Sequence, residues 1–229
     1  MREVFELPDL AAKPLAVFPL PDFTLFPHAI MPLHIFEPRY RQLIEDTLKL
    51  PEAERCFAMG TLMQKESKDT LGTPPVHKVA GVGRLVEYSK LPDGRYMIVL
   101  KGIGRVELKR EVEGDRQYRR FEAEWMFDIA PDGGGGMQGG LAVELKALAL
   151  AAVRDNSDQF RTLLGGQRDL AVLVDLVSAY LPFEIGFKLA QLSNVNVLGR
   201  AAHAISELEN RMIPQLPQPI DPDAEPPVN

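Results

Sequence analysis

The sequence predicts an α+β protein: a small curled β-structure carrying one helix, followed by a bundle of helices. Three observations carry that reading. Up to Phe127 the apolar residues come in short alternating runs, and after Leu141 they recur at helical spacing. Between Pro131 and Gly140, where the texture changes, lie six glycines, at 133 to 136, 139 and 140. The chain is 229 residues long, 45% hydrophobic and 25% charged, enough for one or two packed cores and unlike a disordered or disulfide-stapled chain. A formal charge of −6 argues against a broad positive field for nucleic acid or anionic lipid.

The first unit, residues 1–128, opens with Leu15 to Phe18, Phe23 to Phe26 and Met31 to Phe36, runs separated by Pro19, Pro21 and Pro27. Prolines between short apolar runs confine them to short or edge strands. After Glu37-Pro38, residues Tyr40, Leu43, Ile44, Thr47 and Leu48 fall on one helical face, and proline is tolerated in the first turn. The opposite face, Arg39, Arg41, Gln42, Glu45, Asp46 and Lys49, is left for solvent or a partner. Strands resume at Cys56 to Met63 and at Val82 to Leu91. Pro92-Asp93-Gly94 then reverses the chain into Arg95 to Leu100, since proline presets φ and glycine supplies positive φ. Further strands are expected at Arg105 to Arg110 and Arg119 to Phe127, with Gly81, Gly83, Gly102 and Gly104 at bends of a closed or half-closed barrel.

Residues 129–140 read as a flexible glycine-rich linker. In residues 141–212, Leu141, Leu145, Leu148, Ala149 and Ala152 form one apolar stripe, and Val197, Ala201, Ala204, Ile205, Leu208 and Met212 another. Leu170 to Leu181 is apolar nearly all round and belongs in the middle of a bundle. Pro182 breaks it, and Phe183, Phe187 and Ala190 continue as a short helix towards a turn at Asn194-Val195-Asn196. The proline-rich, acidic residues 213–229 are expected to be disordered.

Chemistry is sparse. Gly134, Gly136 and Gly139 spell G-x-G-x-x-G, but only helices follow, without the parallel βαβ unit a dinucleotide cradle needs. P-loop, nucleophile-elbow and zinc-hydrolase motifs are missing, so no nucleotide is expected. His28, His34, His77 and His203 are scattered; His203 falls on a polar helical stripe and His34 on a barrel wall, and no metal or cofactor is expected. The single cysteine, Cys56, reads as a small buried hydrophobe. One cysteine, no apolar leader at the N-terminus and no apolar run of membrane-spanning length point to the cytosol and away from a membrane. Arg105, Lys109, Arg110, Arg116, Arg119 and Arg120, with Tyr118 and Phe121, could form an RNA-binding stripe, but interleaved acidic residues favour a solvated ladder of charges.

Phe18-Pro19-Leu20, Leu25-Phe26-Pro27 and Met31 to Tyr40 together resemble the opening of the Lon protease N-terminal (substrate-binding) domain. Val82-Gly83-Arg84-Leu85, Pro92 to Tyr96 and Leu100 to Arg105 are similar to that family's second signature, in the same order. Within the family the chain looks closer to the stand-alone bacterial proteins than to full-length Lon. The resemblance implies a PUA-like β-barrel followed by a helical bundle. It also implies a non-catalytic module that binds unfolded or partner polypeptide, as an adaptor to a protease or chaperone. Lon's ATPase and Ser-Lys protease modules have no counterpart in these residues. A related domain, that of cereblon, uses three tryptophans and a Cys-ligated zinc; one Trp and one Cys cannot supply them. RNA binding, known for other PUA-like barrels, is the alternative reading.

Candidate partner contacts are Phe23, a potential apolar anchor between prolines, and Arg39, Arg41 and Gln42, which nothing in the helical pattern buries. Glu37 and Tyr40 are assigned to maintaining the fold, Tyr40 on the apolar stripe and Glu37 near the positive end of the helix dipole.

Overall fold

The computed structural model describes residues 7–10, 13–63, 74–129, 135–153 and 158–212. Six strands form one mixed sheet: β1 (Leu15–Pro21), β2 (Ile30–Ile35), β3 (Cys56–Leu62), β4 (Val79–Lys90), β5 (Tyr96–Glu111) and β6 (Arg119–Met126). The order is β2-β5-β4-β3-β1-β6, and β6 pairs back onto β5. Five strands therefore close into a ring, and β2 hangs outside it on β5. All described pairings are antiparallel except that of β1 with β3.

Alternation along the strands sorts side chains between two cores. Val17, Ala58, Ala80, Val82, Val106 and Leu108 pack together inside the ring, where small and β-branched residues fit the narrow lumen. Phe18, Phe57, Met59, Ile98 and Leu100 point the other way, under helix α1 (Pro38–Leu48) and the 23–29 segment. Helix α1 buries Tyr40, Leu43, Ile44 and Thr47, the face its spacing predicts.

Phe23 to Phe26 is not a strand. Its backbone crosses over β4 and β5 so closely that a Cβ at Gly81 would lie 1.8 Å from the Leu25 carbonyl oxygen, and one at Gly102 2.0 Å from that of Phe26. These two glycines are there for close approach as well as curvature. The bulges are at neighbouring residues: Ile103 is the extra residue of β5 opposite Val82 and Gly83, and Val86 that of β4. With the bulge absorbed, the two strands expected at 95–100 and 105–110 run on as the single long β5. The Pro92-Asp93-Gly94 reversal is present, with Gly94 at φ +82° and the Leu91 N–H donating to the Arg95 carbonyl.

The rest is helical: α2 (Gly135–Ala152), α3 (Asp158–Gly165), α4 (Leu170–Tyr180), α5 (Ile185–Ser193) and α6 (Val197–Met212). Leu145, Leu173, Val177, Ala201, Ala204 and Leu208 form their common core. The Asp169 side chain caps α4 by accepting from the Ala171 N–H at 3.0 Å, and Pro182 ends it as expected. Helix α3 has no counterpart in the sequence reading, because eight residues span too few turns to show a period. The linker reading needs correcting from Gly135 onward. Gly135, Gly136, Gly139 and Gly140 are helical, carried by the helix-forming run that follows them, while 130–134 lie outside the described residues. The tail at 213–229 also lies outside them.

Candidate functional site

The polar face of α1 is spent largely within the molecule. Asp46 accepts from Lys49, Arg116 and Tyr118 at 2.7–3.1 Å, and the Gln42 side-chain oxygen accepts from the Gln117 N–H at 2.9 Å. Burial pushes Asp46 up, but these three donors outweigh it and hold the carboxyl below the ordinary range. Burial together with the Asp46 charge pushes Tyr118 up to about 12. Arg41 is half-buried and donates to the Asp93 carbonyl at the hairpin tip, 3.5 Å away. Arg39 remains exposed, paired with Glu37 at 2.8 Å and lying over the Tyr40 ring. Phe23 is half-buried against the core, and its carbonyl accepts from the Thr61 hydroxyl at 2.6 Å. The four sequence candidates thus separate. Arg41 and Gln42 brace α1, Phe23 packs, and Arg39 faces solvent.

The basic stripe also resolves into pairs. Lys109 meets Glu107 and Glu124, Arg110 meets Glu122, Arg116 meets Asp46, and Arg119 meets Glu111. Lys109 and Lys78 hold Glu107 down at about 2. Arg105 does not belong to the stripe, because it is fully buried. Its guanidinium donates to both Asp175 oxygens at 2.8 Å and lies 3.3 Å from Asp128. Arg200, fully buried on α6, closes the cluster by donating to both Asp128 oxygens and to the Asn194 carbonyl, each at 2.8 Å. Two cations and two carboxylates, from β5, α4, α6 and the residues just after β6, join the ring to the helices. Sequence reading missed this cluster, although it held one clue: Asp175 is a lone carboxylate in an apolar helix and needs a buried cation.

The cysteine and the histidines are dispersed. Burial pushes the Cys56 thiol up to about 11, His77 contacts the Val79 backbone, and His203 is exposed against the Phe187 ring. His34 projects from the exposed side of β2 rather than from a barrel wall, since β2 lies outside the ring. Among the described residues no three His, Cys, Asp or Glu side chains are grouped as metal ligands.

An open apolar surface of the sheet lies on β2 and β5. Paired residues share a face, so the register Ile30↔Lys101, Pro32↔Val99, His34↔Met97 places Ile30, Pro32 and His34 beside Val99 and Met97. Phe36, next on the same side, contacts His34 ring to ring. Ile30, Phe36 and Met97 are 44%, 60% and 44% exposed. Both phases of Ile30 to Phe36 are largely apolar, so alternation alone could not say which phase is uncovered. A second apolar surface, a groove of about 590 Å³, runs along α2 beside Ala142, Val143, Ala147 and Leu150.

Comparison with known proteins agrees with this architecture. The family model of the ATP-dependent protease La (LON) substrate-binding domain matches residues 14–210. The chain belongs to that family. Among solved structures it is similar to a Lon N-terminal domain protein from Xanthomonas campestris, at 21% identity and a TM-score of 0.62, covering 85% of this chain and 98% of that one. It is similar also to the N-terminal domain of a Mycobacterium avium complex Lon protease, at 16% identity and a TM-score of 0.66, covering 87% and 100%. No curated protein matches the chain. At these identities the structural likeness shows the fold, which for this LON substrate-binding domain is α+β and PUA-like. The family establishes a substrate-binding module. Among the described residues, no helix is long and apolar enough to cross a membrane.

Proposed function

We propose that this LON-type domain binds unfolded polypeptide non-catalytically in the cytosol and presents it to a protease or chaperone, with the outer face of β2 and β5 as the contact surface. The observation that carries this reading is the strip Ile30, Pro32, Phe36, Met97 and Val99. It is an exposed, mainly apolar strip, interrupted by His34 opposite Met97, of the kind that marks protein interaction sites. Arg39, three residues beyond Phe36 in the chain, is exposed and adds a charged contact in this reading. Phe23, Arg41 and Gln42 hold the scaffold that supports it. The buried thiol and the dispersed histidines supply no assembled nucleophile and base. The RNA alternative draws no support from the basic stripe, because most of its cations are matched to carboxylates that would compete with phosphate.

Fluorescence anisotropy of a labelled, chemically unfolded protein titrated with the folded chain tests the reading. Saturable binding that Met97→Ser and Phe36→Ser weaken is the expected result. Absence of saturable binding by the folded wild type would overturn it.

A further inference from the structure

We propose that the free edge of β2 is a strand-addition site, at which a short extended segment of the bound polypeptide pairs main chain to main chain with Pro32, His34 and Phe36. This rests on the polypeptide-binding reading and specifies how recognition occurs. Three observations fix the polarity of β2. The Ala29 carbonyl accepts from the Gly102 N–H at 2.8 Å, so the odd-numbered residues turn their backbone groups towards β5. The Ile30 N–H donates to the Tyr180 hydroxyl at 2.9 Å, and that hydroxyl donates back to the Ile30 carbonyl at 3.4 Å, so the even-numbered residues face the other way. Pro32, which has no N–H to give, is in the even phase, as an outward-facing strand proline must be.

Among the described residues no strand pairs with that outward edge. It therefore presents, in order, the Pro32 carbonyl, the N–H and carbonyl of His34, and the N–H of Phe36. Their alternation and spacing are those of a β-strand, and the complementary partner is another extended main chain. Tyr180 stops the pairing at Ile30, and Pro32 withholds one donor. The site is consequently short, which disfavours the long continuous pairing that leads to aggregation and suits transient capture. Main-chain recognition ignores side-chain identity, while the neighbouring Phe36, Ile30 and Met97 favour apolar residues at alternate positions.

The probe is a labelled eight-residue peptide of alternating valine and threonine, compared with the same peptide N-methylated at its four central amides, so that neither edge can donate over the four central residues. Anisotropy with the full chain is expected to show at least tenfold weaker binding of the methylated peptide. His34→Pro is expected to weaken the parent peptide similarly, since the lost N–H has no partner among the described residues. In wild-type NMR spectra the His34 and Phe36 amides are expected to shift and gain exchange protection with the parent peptide alone. Equal binding of the two peptides within twofold, or failure of the parent peptide while chemically unfolded protein still binds, overturns strand addition and leaves the broader reading standing. Failure of the unfolded protein as well overturns both.

Discussion

Strand β5 meets two fates on one face. Beyond the bulge at Ile103, Val106 and Leu108 turn into the ring and are buried, with Val106 fully enclosed. Before it, Met97 and Val99 occupy the corresponding face and stay partly or largely open. The side chains are of the same kind, and the difference is the neighbour. Over 105–111 β5 pairs with β6, which closes the ring, and over 96–101 it pairs with β2, which closes nothing. An apolar residue on this strand is core or binding surface according to whether the sheet curls past it. The other face of β5 is covered as far as Arg105, by α1 and the 23–29 segment at one end and by the helical unit over Arg105, and beyond it Glu107 and Lys109 form ion pairs at the surface.

That contrast can be broken most forcefully at Arg105. Replacing it by leucine leaves Asp175 buried without its bidentate partner and is expected to lower unfolding free energy by about 3–5 kcal/mol in urea titrations. Replacing Arg105 and Asp175 together is expected to cost clearly less than the sum of the single changes. Next in size is Gly102→Ala, whose methyl would meet the Phe26 carbonyl. A loss of about 3 kcal/mol, measured the same way, is expected because backbone must move.

Acidification addresses the same joint from its other carboxylate. Burial pushes Asp128 up, but Arg200 and Arg105 outweigh it and hold its carboxyl below the ordinary range, so the stabilisation it contributes is complete above the unfolded value of about 4. It is lost as pH falls through the lower folded value. Asp175 runs the opposite way, pushed up by complete burial against the pull of Arg105 and Arg200. The acid-side loss at this joint therefore belongs to Asp128. Asp128→Asn should flatten the fall in unfolding free energy between pH 5 and pH 3, by roughly 1 kcal/mol for each unit by which the carboxyl is lowered.

The smallest expected change in stability sharpens the comparison from the open half of β5. Met97→Ser should alter unfolding free energy by less than about 0.5 kcal/mol, while weakening unfolded-polypeptide binding several-fold. Val143→Ser, in the groove along α2, serves as its control, and binding equal to wild type is expected there.

Alternation and helical spacing along the chain were sufficient for most of the strands, the buried face of α1, the reversal at Pro92-Asp93-Gly94 and the end of α4 at Pro182, because each is decided by residues within a few positions of one another. The candidate site was legible only in pieces. Arg39 was found as an exposed residue, but Arg41 and Gln42 look free until the hairpin tip and the 112–118 segment fold against them. Phe23 to Phe26 has the composition of a strand, and only the close passage of its backbone over Gly81 and Gly102 makes it a crossing segment instead. Arg105 reads as one more surface cation in its own neighbourhood, yet its partner Asp175 lies 70 residues away. Local periodicity records which side chains avoid water. Which of them find cover depends on what the chain brings over them from a distance, and for β2, β5 and the buried charges that was decided by the closing of the ring and the docking of the helices.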